Sequence, residues 1–486
     1  MSFIDANTWT GRIFLNGWRT GSGGVRDVIE PATGHTLGRV GVAAPKDVAL
    51  AAETAAVAQR AWAPVPFDAK AAILRKAGDL FARHAEEIHG WIIREIGAIP
   101  GMAAYESGFA IKACHEAAGL CSLPFGDVLR TPLPRLSFAR RLPVGVVGVI
   151  APFNVPIVLS MRAIAPALAL GNAVVVKPDP RASVAGGVVL ARIFEEAGLP
   201  EGLLSVLPGG ADVGEAMAAD PNIAVLAFTG STRAGRMIAR AAASSLKRVH
   251  LELGGKSALI VLDDADLDKA VSLGAWGAFL HQGQICMASG RHLVHRSLYS
   301  AYVSKLAAKA DLLPVGDPAT AQVALGPVID IAQRDRIHAI VTAAVNEGAR
   351  LAAGGTYDRL FYRPTVLADV PRNTAAFREE IFGPVAPVVP FDTVEEAIEL
   401  ARDTEYGLSL GIVTKDVLKG LAIAEQIPSG GVHINDQTVV DDVVNPFGGM
   451  KASGAGSRVG GPQANFEAFT ELQWVTVQSE PPTYPF

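Results

Sequence analysis

From Pro45 to about Phe125 the chain repeats apolar residues at three- and four-residue spacing. The pattern is clearest in AAILRKAGDLFARHAEEIHGWIIREIG and predicts a run of amphipathic helices. The first 40 or so residues instead alternate short β-like runs with turns, as in FLNGW and VIEPATGHTLGRV. Residues 129–143, around TPLPRLSFARRLP, are rich in Pro and Arg and read as an extended arm. Beyond it, apolar strands alternate with helices. VVGVIAP, NAVVVKP, LLSVLPG and AVLAFTG precede helices that start near residues 156, 182, 211 and 231. Such alternation indicates parallel βαβ units with helices on both faces of the sheet. A second α/β block spans about 256–447, with SALIVL, HLVH, VAPVVPF, LGIVT and GVHIN as its strands. After 448 the chain is glycine-rich, then β-like around LQWVTV. The fold class is α/β with parallel sheets.

The stretch LPVGVVGVIAPFNVPIVLSM, residues 142–161, is long enough to span a bilayer. Its three prolines, two glycines and Asn154 read instead as a buried strand, a turn and a helix start. MSFIDANTWTGRIFLNG lacks the basic and apolar regions of a signal peptide. The length of 486 residues predicts two to three domains, and 50% hydrophobic residues exclude disorder. A net charge of −5 argues against nucleic acid or anionic membranes as partners. Three cysteines, with no CxxC or Cys/His cluster, suit neither a disulfide framework nor a metal site and point to a reducing cytoplasm.

Four strand ends of the first block deliver PFN (152–154), KPD (177–179), PGGADVG (208–214) and FTGSTRAG (228–235), and ligands of open α/β sheets bind beyond such ends. FTGSTRAG offers Gly230, Ser231 and Gly235 at a helix start, where unpaired N–H groups suit a pyrophosphate; a Ser/Thr helix cap explains it equally. Lys177 reads as a ribose ligand or as a solvated lysine. In HLELGGKSALIVL, Glu252 lies between two leucines. Apolar company raises a carboxylate's pKa and suits a general base, while a salt-bridged strand-edge glutamate is the plainer reading. Gly254 and Gly255 after it let a backbone or ligand approach closely. Cys286 sits in GQICMASG among small and turn-forming residues, where a substrate can reach the sulfur, and a thiol's pKa falls near backbone N–H groups or cations. A small core hydrophobe is its alternative, and the one that fits Cys114 and Cys121 at helical spacing.

Taken in order, PFNVP, FTGSTRAG, HLELGGK, GQICMASGR, EEIFGPV (379–385) and PFGGMKASGAG (446–456) resemble the aldehyde dehydrogenase superfamily over almost the whole chain. AAGLCSLPFG (117–126), HQGQICMASGRHLVHR (281–296), GVHINDQ (431–437) and the terminal TYPF are similar to its benzaldehyde and vanillin dehydrogenase branch. The resemblance implies two Rossmann-like domains and a β-arm for oligomerisation. The cofactor domain would take 1–128 and 144–255, the catalytic domain 256–447, and the arm and tail 129–143 and 448–486. Cys286 would be the nucleophile, Asn154 with the Cys286 N–H the oxyanion hole, and Glu252 the base that activates water. Lys177, Gly230, Ser231 and Gly235 would hold the adenosine and pyrophosphate, and Glu380 and Phe382 the nicotinamide ribose and ring. Leu159, Arg162 and Phe447 would face the substrate. The implied activity is NAD(P)-dependent oxidation of an aromatic aldehyde to its acid by a cytoplasmic homodimer or homotetramer. No metal is implied.

Two positions depart from the family pattern. Pro180 stands where many NAD-preferring members place a glutamate, with Asp179 before it, so NADP stays open beside NAD. Arg162 replaces an aromatic or apolar channel residue. It would pair with a neighbouring acid and shape the channel, or bind a carboxylate on the substrate as in a semialdehyde dehydrogenase.

Overall fold

The computed structural model describes residues 2–486. Its first large sheet has seven strands in the order Arg248–Glu252, Ile223–Thr229, Val146–Ile150, Ala173–Lys177, Leu204–Val206, Arg12–Phe14 and Trp18–Thr20. The first five are parallel, and the last two add an antiparallel edge. VVGVI and AVVVK are buried at every position, as strands covered by helices on both faces must be. Chain order reverses between Val146–Ile150 and Ile223–Thr229, which opens a crevice beyond the strand ends at that point.

The second seven-stranded sheet runs Arg350–Ala353, Thr365–Ala368, Val385–Phe391, Arg291–His295, Ala258–Val261, Ser409–Val413 and Gly431–Ile434. Only its first pair is antiparallel. The five apolar runs of the second block all fall in this sheet. Arg350–Ala353 and Thr365–Ala368 carry no comparable sequence signal, whereas the short edge strands Arg12–Phe14 and Trp18–Thr20 fall around FLNGW, in the β-like first 40 residues. A separate antiparallel sheet joins Gly126–Val128, Leu136–Pro143 and Thr470–Val477, so the extended arm and the tail pair with each other. The 142–161 stretch is a strand, a turn and the helix Pro156–Ala169, begun by Pro156 at its first position. Among the described residues no helix is long and apolar enough to cross a membrane.

Candidate active site

Asn154 lies in the turn between Val146–Ile150 and the helix Pro156–Ala169, at the crevice. Its side-chain amide donates to the Gln284 carbonyl at 2.8 Å, and its own carbonyl accepts from His281 Nε2 at 2.6 Å. The turn is therefore clamped to the cysteine loop from both sides. One amide hydrogen of Asn154 is used in this bond, and the second remains for a developing oxyanion. Glu106 supports the helix start by accepting from the Ile157 N–H at 3.0 Å. Burial raises its pKa to about 8.

Immediately before Cys286, His281, Gln282 and Gly283 adopt φ of 51°, 57° and 65°. Left-handed backbone at two non-glycine residues is costly and persists only where the surroundings dictate it. Here Gln282 Nε2 donates to the carbonyls of Gly97 and Pro327 at 2.8 Å each, and Gln284 Oε1 accepts from the Ile329 N–H at 3.0 Å. After the cysteine, Thr438 Oγ1 donates to the Met287 carbonyl at 2.6 Å. A Cβ on Gly255 would stand 2.6 Å from the Cys286 carbonyl oxygen, so the glycine after the Glu252 strand lets the cysteine loop come close. Cys286 is partly exposed, whereas Cys114 and Cys121 are buried in the core.

The electrostatics of Cys286 run against the sequence expectation of a lowered pKa. Burial pushes its thiol up to about 12, and the carboxylates of Glu380 and Glu252 add to the shift against the opposing pull of Arg162. The expectation weighed nearby cations and N–H groups, but desolvation and two acids outweigh them here. Glu252 follows the apolar-company argument. It is 8% exposed, and burial raises it to about 8 against the opposing charges of Arg162 and Arg458. Its Oε2 has no hydrogen-bond partner in the structure.

The residues assigned to the cofactor lie at neighbouring strand ends. Lys177 is buried, with one long hydrogen bond of 3.4 Å to the Pro178 carbonyl. Ser231 caps the helix Thr232–Ala243, accepting from the Ala234 N–H at 3.3 Å, and the Gly230 N–H donates to the Glu252 carbonyl at 3.0 Å. Gly235 faces the sheet: a Cβ there would meet Leu253 Cδ2 at 2.4 Å. Its smallness thus serves the approach of helix to strand, a different part from contact with a pyrophosphate. Glu380 reaches back to the Gly255 N–H at 3.2 Å, and burial raises it to about 7. Phe382, at φ 56°, packs edge-on against Phe153. Asp179 is bound by Arg181, which also pairs with Asp330 at 2.7 Å and lies 4.2 Å from the Phe153 ring centroid.

On the other side of Cys286 a cavity of about 390 Å³ is lined by Asn154, Leu159, Arg162, Cys286 and Phe447. Val155, Val158, Leu159 and Arg162 form one stripe of the helix facing it. Arg162 forms a buried ion pair with Asp441, with side chains 9% and 3% exposed. Its guanidinium carbon stands 3.9 Å from the Phe447 ring centroid, a cation–π contact. Arginine pairing with a neighbouring acid is therefore the arrangement found. Sequence reasoning missed the acid itself, together with the His281 and Gln284 clamp, Glu106 and Tyr105. Asp441 sits in VVDDVV, where nothing distinguishes it from Asp442.

The chain belongs to the aldehyde dehydrogenase family, whose sequence model matches residues 18–475. It is 61% identical over 486 residues to a vanillin dehydrogenase of Amycolatopsis sp., covering 100% of both chains. It is 50% identical to the benzaldehyde dehydrogenase [NAD(+)] of Pseudomonas putida, over 98% of each chain. Among solved structures, the NAD+ complex of an aldehyde dehydrogenase from Bacillus cereus superposes with a TM-score of 0.93 at 33% identity, over 97% of each chain.

Proposed function

We propose that this protein oxidises aromatic aldehydes of the benzaldehyde type to carboxylic acids with NAD as acceptor, by covalent catalysis on Cys286. The apolar cavity that ends on Cys286 and Asn154 carries the reading. Burying a phenyl ring of ~150 Å² there contributes several kcal/mol at ~25 cal/mol/Å². The names of the two curated relatives point the same way. Arg162 is committed to Asp441, which weighs against a semialdehyde whose distal carboxylate needs a free guanidinium.

NAD suits the residues present. The N-terminus of Thr232–Ala243 offers N–H groups to the pyrophosphate beside Gly230, and buried Lys177 has donor capacity to spare for the adenosine ribose. Glu380 and Phe382 would receive the nicotinamide end. Arg181 is held by Asp179 and Asp330 instead of standing free for a 2′-phosphate, which favours NAD over NADP. When bound, NAD supplies the acceptor for the hydride that leaves the aldehyde carbon.

The chain's own residues do the rest. Cys286 Sγ adds to the carbonyl carbon as its S–H bond breaks, the proton passing to solvent water. The Asn154 amide and the Cys286 N–H meet the charge on the oxygen. Once the carbon is oxidised to a thioester on Cys286, Glu252 takes a proton from water, which attacks the acyl carbon and releases the acid and the thiol. Glu252 suits that task, since a base near pKa 8 both accepts the proton and gives it up.

The antiparallel arm exposes Val128, Leu136, Leu472 and Trp474, an apolar surface that supports a homodimer or homotetramer. The free cysteines fit a cytoplasmic setting. The test of the activity is NADH formation with benzaldehyde against acetaldehyde and succinic semialdehyde. Benzaldehyde should lead acetaldehyde by ~10²-fold in kcat/KM. A preference for succinic semialdehyde that Arg162→Leu erases would overturn the aromatic assignment.

A further inference from the structure

Beyond Lys177, the loop KPDPR carries Arg181 from the first sheet to a contact with the second. Its Nε and Nη2 donate to the two carboxylate oxygens of Asp179 at 2.9 Å each, and Nη1 donates to Asp330 at 2.7 Å. The other oxygen of Asp330 caps the helix Ile331–Asn346, accepting from the Gln333 N–H at 2.8 Å. In the first turns of that helix, Gln333 Nε2 donates to the Phe382 carbonyl at 2.8 Å, and Arg336 Nη2 donates to the Glu380 carbonyl at 2.7 Å. The Arg181 guanidinium also lies 4.2 Å from the Phe153 ring centroid, and Phe153 meets Phe382 edge-on. Arg181 is thus joined to the Glu380–Phe382 loop by a polar route and by an aromatic one. Just before Asp330, the Pro327 carbonyl and the Ile329 N–H bond Gln282 and Gln284 of the cysteine loop.

We infer that Arg181 is a positioning residue: its bond to Asp330 fixes the Lys177 strand end against the Glu380–Phe382 loop and so holds the two halves of the dinucleotide site at one separation. The inference rests on the cofactor reading above, which gives those two places to the adenosine and nicotinamide ends. A ligand that must touch two half-sites binds best when their separation is already set, because ordering them on binding costs affinity. Exposed ion pairs rarely fix geometry. This one is partly buried, doubly bonded to Asp179 and braced by a ring, so the guanidinium plane is held in one orientation. A lysine at this position would offer a point charge without the fork that reaches both acids. Cys286 and Asn154 are held to each other by a separate clamp, through His281 and Gln284. Loosening the latch therefore acts on hydride transfer, whose rate falls steeply when reacting atoms are displaced, and spares acylation of the cysteine.

Asp330→Ser tests the latch, because serine still caps the helix but is too short to hold the guanidinium. The Arg181–Asp179 pair stays intact in this variant. Calorimetry compares NAD with AMP, which reaches the adenosine end alone. We expect the Kd of NAD to rise about 5- to 10-fold and that of AMP to stay within about twofold. In stopped-flow with benzaldehyde, the NADH burst should slow by about tenfold or more. Hydrolysis of 4-nitrophenyl acetate without NAD should be unchanged, since the ester acylates Cys286 with release of 4-nitrophenolate, and Glu252 and water then free the acetate. Arg181→Met should act in the same direction, and the double variant should be no worse than the poorer single one. Unchanged NAD affinity and an unchanged burst overturn the inference, and so do single effects that add in full. A parallel loss of AMP binding and ester hydrolysis also overturns it, because that marks general damage to the fold. If Asp330→Ser fails to fold, Arg181→Lys decides by the same comparison of NAD with AMP. Wild-type enzyme that binds NAD but oxidises no benzaldehyde defeats the aromatic reading and leaves the latch to the binding comparison. Wild-type enzyme that binds no NAD defeats the cofactor reading and this inference together.

Discussion

On the side of Cys286 that we assign to the cofactor, the groups come from the ends of parallel strands, each within a short contiguous motif. Lys177 ends Ala173–Lys177, Gly230 follows Ile223–Thr229, and Glu252 ends Arg248–Glu252. On the substrate side they come from the flank of one helix and a loop far along the chain, Arg162 meeting Asp441. The first side uses strand ends and a helix N-terminus, which backbone topology places wherever the chain follows this order. The second uses side-chain packing, which varies without disturbing the sheet. Substitutions at the junction should stop the chemistry, and those on the substrate side should change only what is oxidised.

The harshest break is at the junction. Cys286→Ala should abolish aldehyde oxidation, by about 10⁴-fold or more in kcat, with NAD binding and the thermal transition preserved. Retained turnover would remove the cysteine from the mechanism.

Glu252→Gln should lower steady-state turnover by ~10²–10⁴-fold, the span of general-base effects. Stopped-flow should still record a burst of one NADH per site, because hydride leaves before water attacks. A burst that slows with the steady state would show that Glu252 also takes the Cys286 thiol proton. The sign of the pH effect follows from the raised pKa. Glu252 is protonated below about 8 and cannot accept a proton, so deacylation should rise with pH through about 8. In Glu252→Gln that inflexion should vanish.

Asn154→Ala should cost ~10²–10³ in kcat, the range for one oxyanion donor, with little change in KM. It also frees the Gln284 carbonyl, so a crystal structure of the variant should show whether the loop before Cys286 moves. If kcat is unchanged, the amide serves only as a clamp.

The difference between the two sides also governs what was legible in the sequence. Strand and helix positions from 146 to 243 followed from apolar runs punctuated by Gly, Pro and Ser, because buried parallel strands leave little freedom in composition. The edge strand Arg350–Ala353 was not legible, being short and only partly buried. Cys286, Glu252 and Asn154 stood out through their surroundings in the chain and through six ordered motifs. Asp441 could not, since its role depends on a residue distant in sequence. The direction of the Cys286 pKa was not legible for a related reason: it is set first by burial in the folded chain, then by two carboxylates brought in from other strand ends and loops.

The mildest perturbation tests the substrate side alone. Phe447→Leu removes a ring from the cavity wall and leaves Cys286, Glu252 and Asn154 in place. Loss of an aromatic contact should raise KM for benzaldehyde by about 2- to 10-fold with kcat nearly constant, the signature of binding lost equally from ground and transition states. Because that ring also carries the Arg162 guanidinium at 3.9 Å, its removal loosens the ion pair as well. A drop in kcat instead would mean that Phe447 supports the cysteine loop, and that the two sides of the cleft are coupled through it.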